Sequence, residues 1–163
     1  MIEPATPLTS MPAHARVWVY KSAEPFNTAE RALITDRGAS FTSGWATHGA
    51  PLDAAVEVVH HHFLVIAVDE EQARASGCSI DKSVHFVKLL EKQLGRTLTD
   101  RMVVVYELEG TPRTCRVDEI DDLLDEGVLH ADTLVFDDLV TTKGDLDRRF
   151  RVPLRDTWLE RFL

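Results

Sequence analysis

Apolar residues recur at three- and four-residue steps from Ile80 through Val84, Val87 and Leu90 or Glu91 to Leu94. This spacing predicts a helix over 79–94 with one buried stripe. Asp81, His85, Lys88 and Lys92 fall on a polar stripe beside it, and Gly95 sits where a helix C-terminal glycine belongs. An earlier helix is predicted after Pro25-Phe26, capped by Asn27 or Thr28. Its apolar positions Ala32, Leu33, Ile34 and Phe41 fit a helical stripe imperfectly, and Gly38 weakens it or breaks it near the middle. Gly44 and Gly49 then bracket Trp45 and His48, and Pro51 forbids simple helical continuation.

Elsewhere the pattern is that of strands. Arg16 to Tyr20 carries aromatic and β-branched residues. Val56, Val58 and Phe63 to Val68 form either one bent strand or a tight hairpin turning near His60-His61, and the near-continuous apolar second half predicts a central strand covered on both faces. Met102 to Leu108 predicts a further strand, which Gly110-Thr111-Pro112 turns into another near Thr114 to Val117. Asp118 to Leu124 predicts a short helix with acidic residues in its first turn. Residues 133–140 are mixed, and Pro153 to Leu163 predicts a short docking helix through Leu154, Trp158, Leu159 and Phe162.

The order is roughly βαββαββα. It predicts an α+β fold with a mixed or mainly antiparallel sheet and helices packed mainly on one face, with a ferredoxin-like core and C-terminal additions as the specific arrangement. Residues 1–15, with Pro4, Pro7 and Pro12 among small and polar residues, are expected to be an extended or mobile leader to a single domain over 16–163.

Composition narrows the partners. Of 163 residues, 44 % are hydrophobic and 28 % charged, so the chain can bury a core and lacks the balance of a disordered one. The net charge of −9 disfavours nucleic acid, and the densest basic group, Arg148, Arg149 and Arg151, has Asp145 and Asp147 beside it. No apolar run approaches the ~20 residues that span a bilayer, so no membrane insertion is expected. The first residues lack the basic and apolar regions of a secretory signal. Cys78 and Cys115 are therefore expected as reduced thiols in a cytoplasmic protein.

Several landmarks line up: Trp18-Val19-Tyr20, Trp45-Ala46-Thr47-His48-Gly49, Ser76-Gly77-Cys78-Ser79-Ile80-Asp81-Lys82-Ser83-Val84, Phe136-Asp137-Asp138-Leu139-Val140 and Trp158-Leu159-Glu160-Arg161-Phe162-Leu163. Through them the chain resembles a family of small uncharacterised bacterial proteins, mainly of Bacteroidetes type, often labelled "ABC transporter ATPase". The resemblance covers nearly everything after the leader and brings no settled activity with it. The label itself meets no support in the residues. A phosphate loop needs glycines leading into Gly-Lys-Ser/Thr, and Thr142-Lys143-Gly144 has that pair in the wrong order. The apolar strand ending in Asp69-Glu70 superficially resembles a Walker B segment, but without the loop it carries little weight. ATP hydrolysis is not expected.

The sharpest candidate for chemistry is Cys78, at or just before a helix N-terminus, where free amides and the helix dipole favour a thiolate. Gly77 permits close backbone approach, and Ser79 could cap the helix or bind a ligand. His48 is the natural base if the fold brings Trp45-x-x-His48-Gly49 to Cys78, and Asp81 could accept backbone hydrogen bonds or orient His85 one turn on. This defines a conditional site: Cys78 and His48 for catalysis, with Gly77, Ser79, Asp81 and Trp45 for ligand. The same residues also read as a buried small hydrophobe, a turn histidine and an exposed helix pair. His60 and His62 would share a face of a strand, yet no Cys-x-x-Cys or His-Glu-x-x-His accompanies them, so no metal site is assigned. The acidic run from Asp118 to Glu126 lacks an EF-hand's spacing and reads as a solvated helix face. With no complete catalytic or cofactor motif, the favoured reading is a non-catalytic module for an unknown small ligand or protein partner, compatible with a homo-oligomer. The alternative is a thiol-dependent enzyme centred on Cys78.

Overall fold

The apolar run at 63–68 becomes the centre of the molecule. A computed structural model of the chain describes residues 6–71 and 73–163. Its elements follow one another as β1 (Arg16–Lys21), α1 (Thr28–Gly44), β2 (Ala46–Thr47), β3 (Ala50–Pro51), β4 (Asp53–Val59), β5 (Phe63–Asp69), α2 (Gly77–Leu94), β6 (Val103–Leu108), β7 (Thr111–Arg116), α3 (Ile120–Asp125), β8 (Leu134–Phe136), α4 (Lys143–Arg149) and β9 (Arg151–Pro153). In β5, Phe63 to Val68 are completely buried. The strand lies between β1 and β4, antiparallel to both. Leu64, Ile66 and Val68 pack with Ala54 and Val56 beneath α1 and α2, while Val65 and Ala67 pack with Val17 and Ala55 against Leu8 and Met11. A strand covered on both faces must be apolar on both, which is why its sequence does not alternate.

The stretch 56–68 is a hairpin rather than a bent strand. His60 and His61 turn it with left-handed backbone angles, φ 49° and 64°. No glycine occupies either position, and the His60 ring packs on Phe136 at 4.8 Å between centroids. His62 is buried, with Nδ1 2.9 Å from the Ser22 carbonyl oxygen. His60 and His62 thus face different partners, and the shared-face argument for a metal does not apply.

Helix α1 runs unbroken through Gly38. Asn27 accepts from the Glu30 amide and Glu30 accepts from the Asn27 amide, a reciprocal capping box. Helix α2 begins earlier than the apolar spacing indicated. Ser76, not Ser79, is its N-cap, and Ser79 completes the box from the third helical position. Gly95 ends it in a left-handed conformation, φ 67°, as expected. Its buried stripe is Ser79, Ser83, Phe86, Val87 and Leu90, whereas Val84 is exposed. The hydroxyls of Ser79 and Ser83 donate to the Ser76 and Ile80 carbonyls, so two serines enter the interface without losing hydrogen bonds and Val84 turns outward.

The second sheet has the order β7-β6-β8-β9. Every strand pairing among the described residues is antiparallel. The fold is α+β, but the parallel neighbour that a split βαβ unit requires is absent among these pairings, and the ferredoxin-like arrangement is not formed. Phe63 joins the two sheets by packing with Val105, Phe136, Val140 and Phe150. Lys21 Nζ adds a 2.6 Å ion pair to Asp138 across the same junction.

The expected leader also differs. Leu8 and Met11 are buried, residues Leu8–Ser10 form a 3-10 turn, and the amides of Lys143 and Gly144 donate to the carbonyls of Ala15 and Ala13. Residues 8–15 therefore belong to the packed structure, and residues 1–5 of the expected leader lie outside the described ones. At the other end the expected docking helix is two 3-10 turns, Leu154–Asp156 and Trp158–Phe162, divided at the extended Thr157. They still bury Leu154 and Leu159. Helix α4, capped by Thr142, was not anticipated because its basic second half carries no apolar stripe.

Candidate functional site

The capped entrance of α2 is tied to the end of α1 by one side chain. Trp45, which follows α1 and is 2 % exposed, donates its indole Nε1–H to the Ser79 carbonyl at 2.8 Å. Farther along, Arg37 near the middle of α1 donates its Nε–H to Gln93 Oε1 near the end of α2 at 3.3 Å. The two contacts make α1 and α2 antiparallel neighbours. Between them Phe41 stacks on Phe86, with centroids 4.5 Å apart and planes 7° from parallel, and also meets Trp45 at 4.9 Å.

Outside these rings the helices leave an apolar groove of about 500 Å³. Phe41, Trp45, Phe86 and Leu90 form its floor, and half-exposed Leu89 forms one wall. Ser40 and Gly44 keep the α1 side low, and Arg37, Lys82, His85 and Gln93 supply its polar rim. On α2 the lining residues 82, 85, 86, 89, 90 and 93 recur at helical spacing, as do 37, 40, 41 and 44 on α1. That second stripe, beside the buried one, is the signal that could have exposed the groove in the sequence.

Of the predicted site residues, Trp45 alone lines the groove. Cys78 is exposed in the first turn of α2. Gly77 has nothing within 4 Å of where a Cβ would stand, so no close approach demands glycine there. The Ser79 hydroxyl is engaged by Ser76, and the Ser79 carbonyl by Trp45. Asp81 is exposed. His48 is exposed in the turn between β2 and β3, with φ 48°. Among the described residues no hydrogen bond joins His48 to Cys78 or Asp81 to His85. Both cysteines are free, and burial, with Glu119 adding, pushes the Cys115 thiol up to about 11.

Two other places gather polar groups. A cavity of about 600 Å³ between the sheets is lined by Tyr20, Lys21, Asp100, Asp138, Leu139 and Trp158. Its charges are largely committed, Lys21 to Asp138 and Asp100 to Arg116 at 3.0 Å. Burial raises the pKa of Tyr20, and Glu91 raises it further. Near the end of β5, donor atoms of His14, Asp69 and Glu71 lie within 4.8 Å of one another. His14 Nε2 and Asp69 Oδ1 are already in contact at 3.1 Å. Asp69 also accepts from the Glu71 amide, and Glu70 accepts from the Ala75 amide. The acidic strand end that resembled a Walker B segment is thus occupied in holding the loop into α2.

Among the described residues no helix is long and apolar enough to cross a membrane. No protein-family model matches the chain, and no curated protein or solved structure is significantly similar to it.

Proposed function

We propose that the protein is a non-catalytic binding module that takes a small, largely apolar ligand into the groove between α1 and α2. The observation that carries this reading is the groove itself. At about 500 Å³ it falls within the roughly 300–1,000 Å³ typical of small-molecule sites, with an aromatic floor and its polar groups confined to the rim. The two free cysteines support a reducing, cytoplasmic setting. Nucleotide hydrolysis has no place in the proposal, because the chain lacks the phosphate loop that the family label would require.

The test uses Nile red, a neutral apolar dye whose emission rises on leaving water. The intact protein should bind it, and Ser40→Trp, which fills the groove from an exposed position, should weaken that binding at least about tenfold, equivalent to ~1.4 kcal/mol. Equal dye binding by the two proteins, both shown folded by thermal melts, would overturn the reading.

The exposure of Cys78 in the first turn of α2 favours a second reading, a thiol-dependent enzyme with His48 as its base. It requires the β2–β3 turn to deliver His48 to the sulfur. Turnover of a thioester or activated ester abolished by both Cys78→Ser and His48→Gln would establish it over the first.

A further inference from the structure

The charge around the groove is one-sided. The chain carries 27 acidic residues against 18 basic ones, yet Arg37, Lys82 and His85 line the groove and no carboxylate does. Arg37 is partly committed, to Asp36 at 2.8 Å and to Gln93. Lys82 has no ion-pair partner among the described residues. Asp81 is the opposing charge beside Lys82, but it stands outside the groove. From Lys82 to Gln93 the α2 side of the groove extends ~16 Å at the rise of an α-helix, with Phe86, Leu89 and Leu90 along it.

We propose that the ligand is a medium-chain carboxylate, with its head at Lys82 and His85 and its acyl chain along Phe86 and Leu89 toward Gln93. The inference rests on the groove reading above and adds the sign and position of the head group. A neutral amphiphile fills the same apolar space without using the free ammonium. A cationic one sets like charge against it.

The experiment displaces Nile red from the full-length protein with decanoate, decanol and decyltrimethylammonium, the two ionic amphiphiles below their micellar range and decanol below its solubility limit. Decanoate should compete about tenfold more tightly than the cationic amphiphile, and the preference should shrink as salt is raised. Lys82→Gln, a change at an exposed position, should reduce the preference, read as the ratio of decanoate to decyltrimethylammonium competition within the variant, with Arg37 and His85 left in place. Equal competition by all three amphiphiles, or an undiminished preference in Lys82→Gln, would overturn the carboxylate inference and leave the groove reading standing. No binding of Nile red at all would remove both. A stable dimer in sedimentation that excludes Nile red and that decanoate does not dissociate would assign the groove to a second copy of the chain and overturn the inference.

Discussion

Gly38 in α1 stands so close to Val56 in β4 that a Cβ built on the glycine would lie 2.9 Å from both Val56 Cβ and Cγ1. The glycine is buried, and its missing side chain is what lets α1 lie down on the central sheet. Gly38→Ala improves helix propensity by about 1 kcal/mol, but it inserts a methyl against a branched side chain in a packed core, which costs ~1–3 kcal/mol. Net destabilisation is expected, read as a lower urea midpoint. Pairing it with Val56→Ala should restore part of the loss, which a pure propensity effect would not show.

Trp45→Phe keeps an aromatic ring against Phe41 and removes the donor to the Ser79 carbonyl. A cost of ~1 kcal/mol is expected for that hydrogen bond. Because Trp45 also floors the groove, Nile red affinity should fall as well. Stability unchanged by the substitution would show that the indole does not anchor the start of α2.

The two thiols should separate cleanly in a labelling experiment. Cys78 is exposed, whereas Cys115 is 8 % exposed and its pKa is raised to about 11 by burial. At pH 8 iodoacetamide should modify Cys78 in the native protein and reach Cys115 only on unfolding, as read by intact mass. Early modification of Cys115 would contradict its burial with Val104, Tyr106 and Ile120.

His60 predicts an acid-sensitive element. His60 is exposed overall, but Phe136 and Phe150 against its ring partly desolvate it and lower its pKa from the ordinary 6.5, with Glu107 opposing and Arg151 and His61 reinforcing the shift. The unfolded chain therefore takes up this proton at higher pH than the folded one. The contribution is complete above about pH 6.5 and is lost as pH falls toward the folded-state pKa. Thermal melts at pH 7.5 and 5.5 should show a smaller acid-induced loss in His60→Asn than in the wild type. Asparagine tolerates the positive φ of that position. An identical pH dependence in the two proteins would remove His60 from the account.

The elements that the sequence made legible are those whose burial is decided within one segment. The run at 63–68 is apolar throughout because both its faces are covered, and α2 shows its periodicity and its closing Gly95 locally. Less legible were the elements whose ends depend on hydrogen bonds between polar side chains. Ser76 rather than Ser79 caps α2, because a serine three residues ahead can complete the same box. Gly38 reads as a helix breaker from propensity and as a packing residue once Val56 lies across from it.

By itself the sequence determined an acidic α+β chain, its central strand, its best helix and a chemically suggestive segment from Gly77 to Asp81. The tertiary structure alone decided what that segment presents: Cys78 to solvent, and Ser79 to the Trp45 indole. It alone produced the groove, whose floor joins Phe41 and Trp45 to Phe86 and Leu90 from a distant part of the chain. Periodicity reports which face of a helix is buried, because burial of apolar area acts on each helix separately. Where two helices leave space between them is set by the size of the side chains they share, and that is a property of the pair.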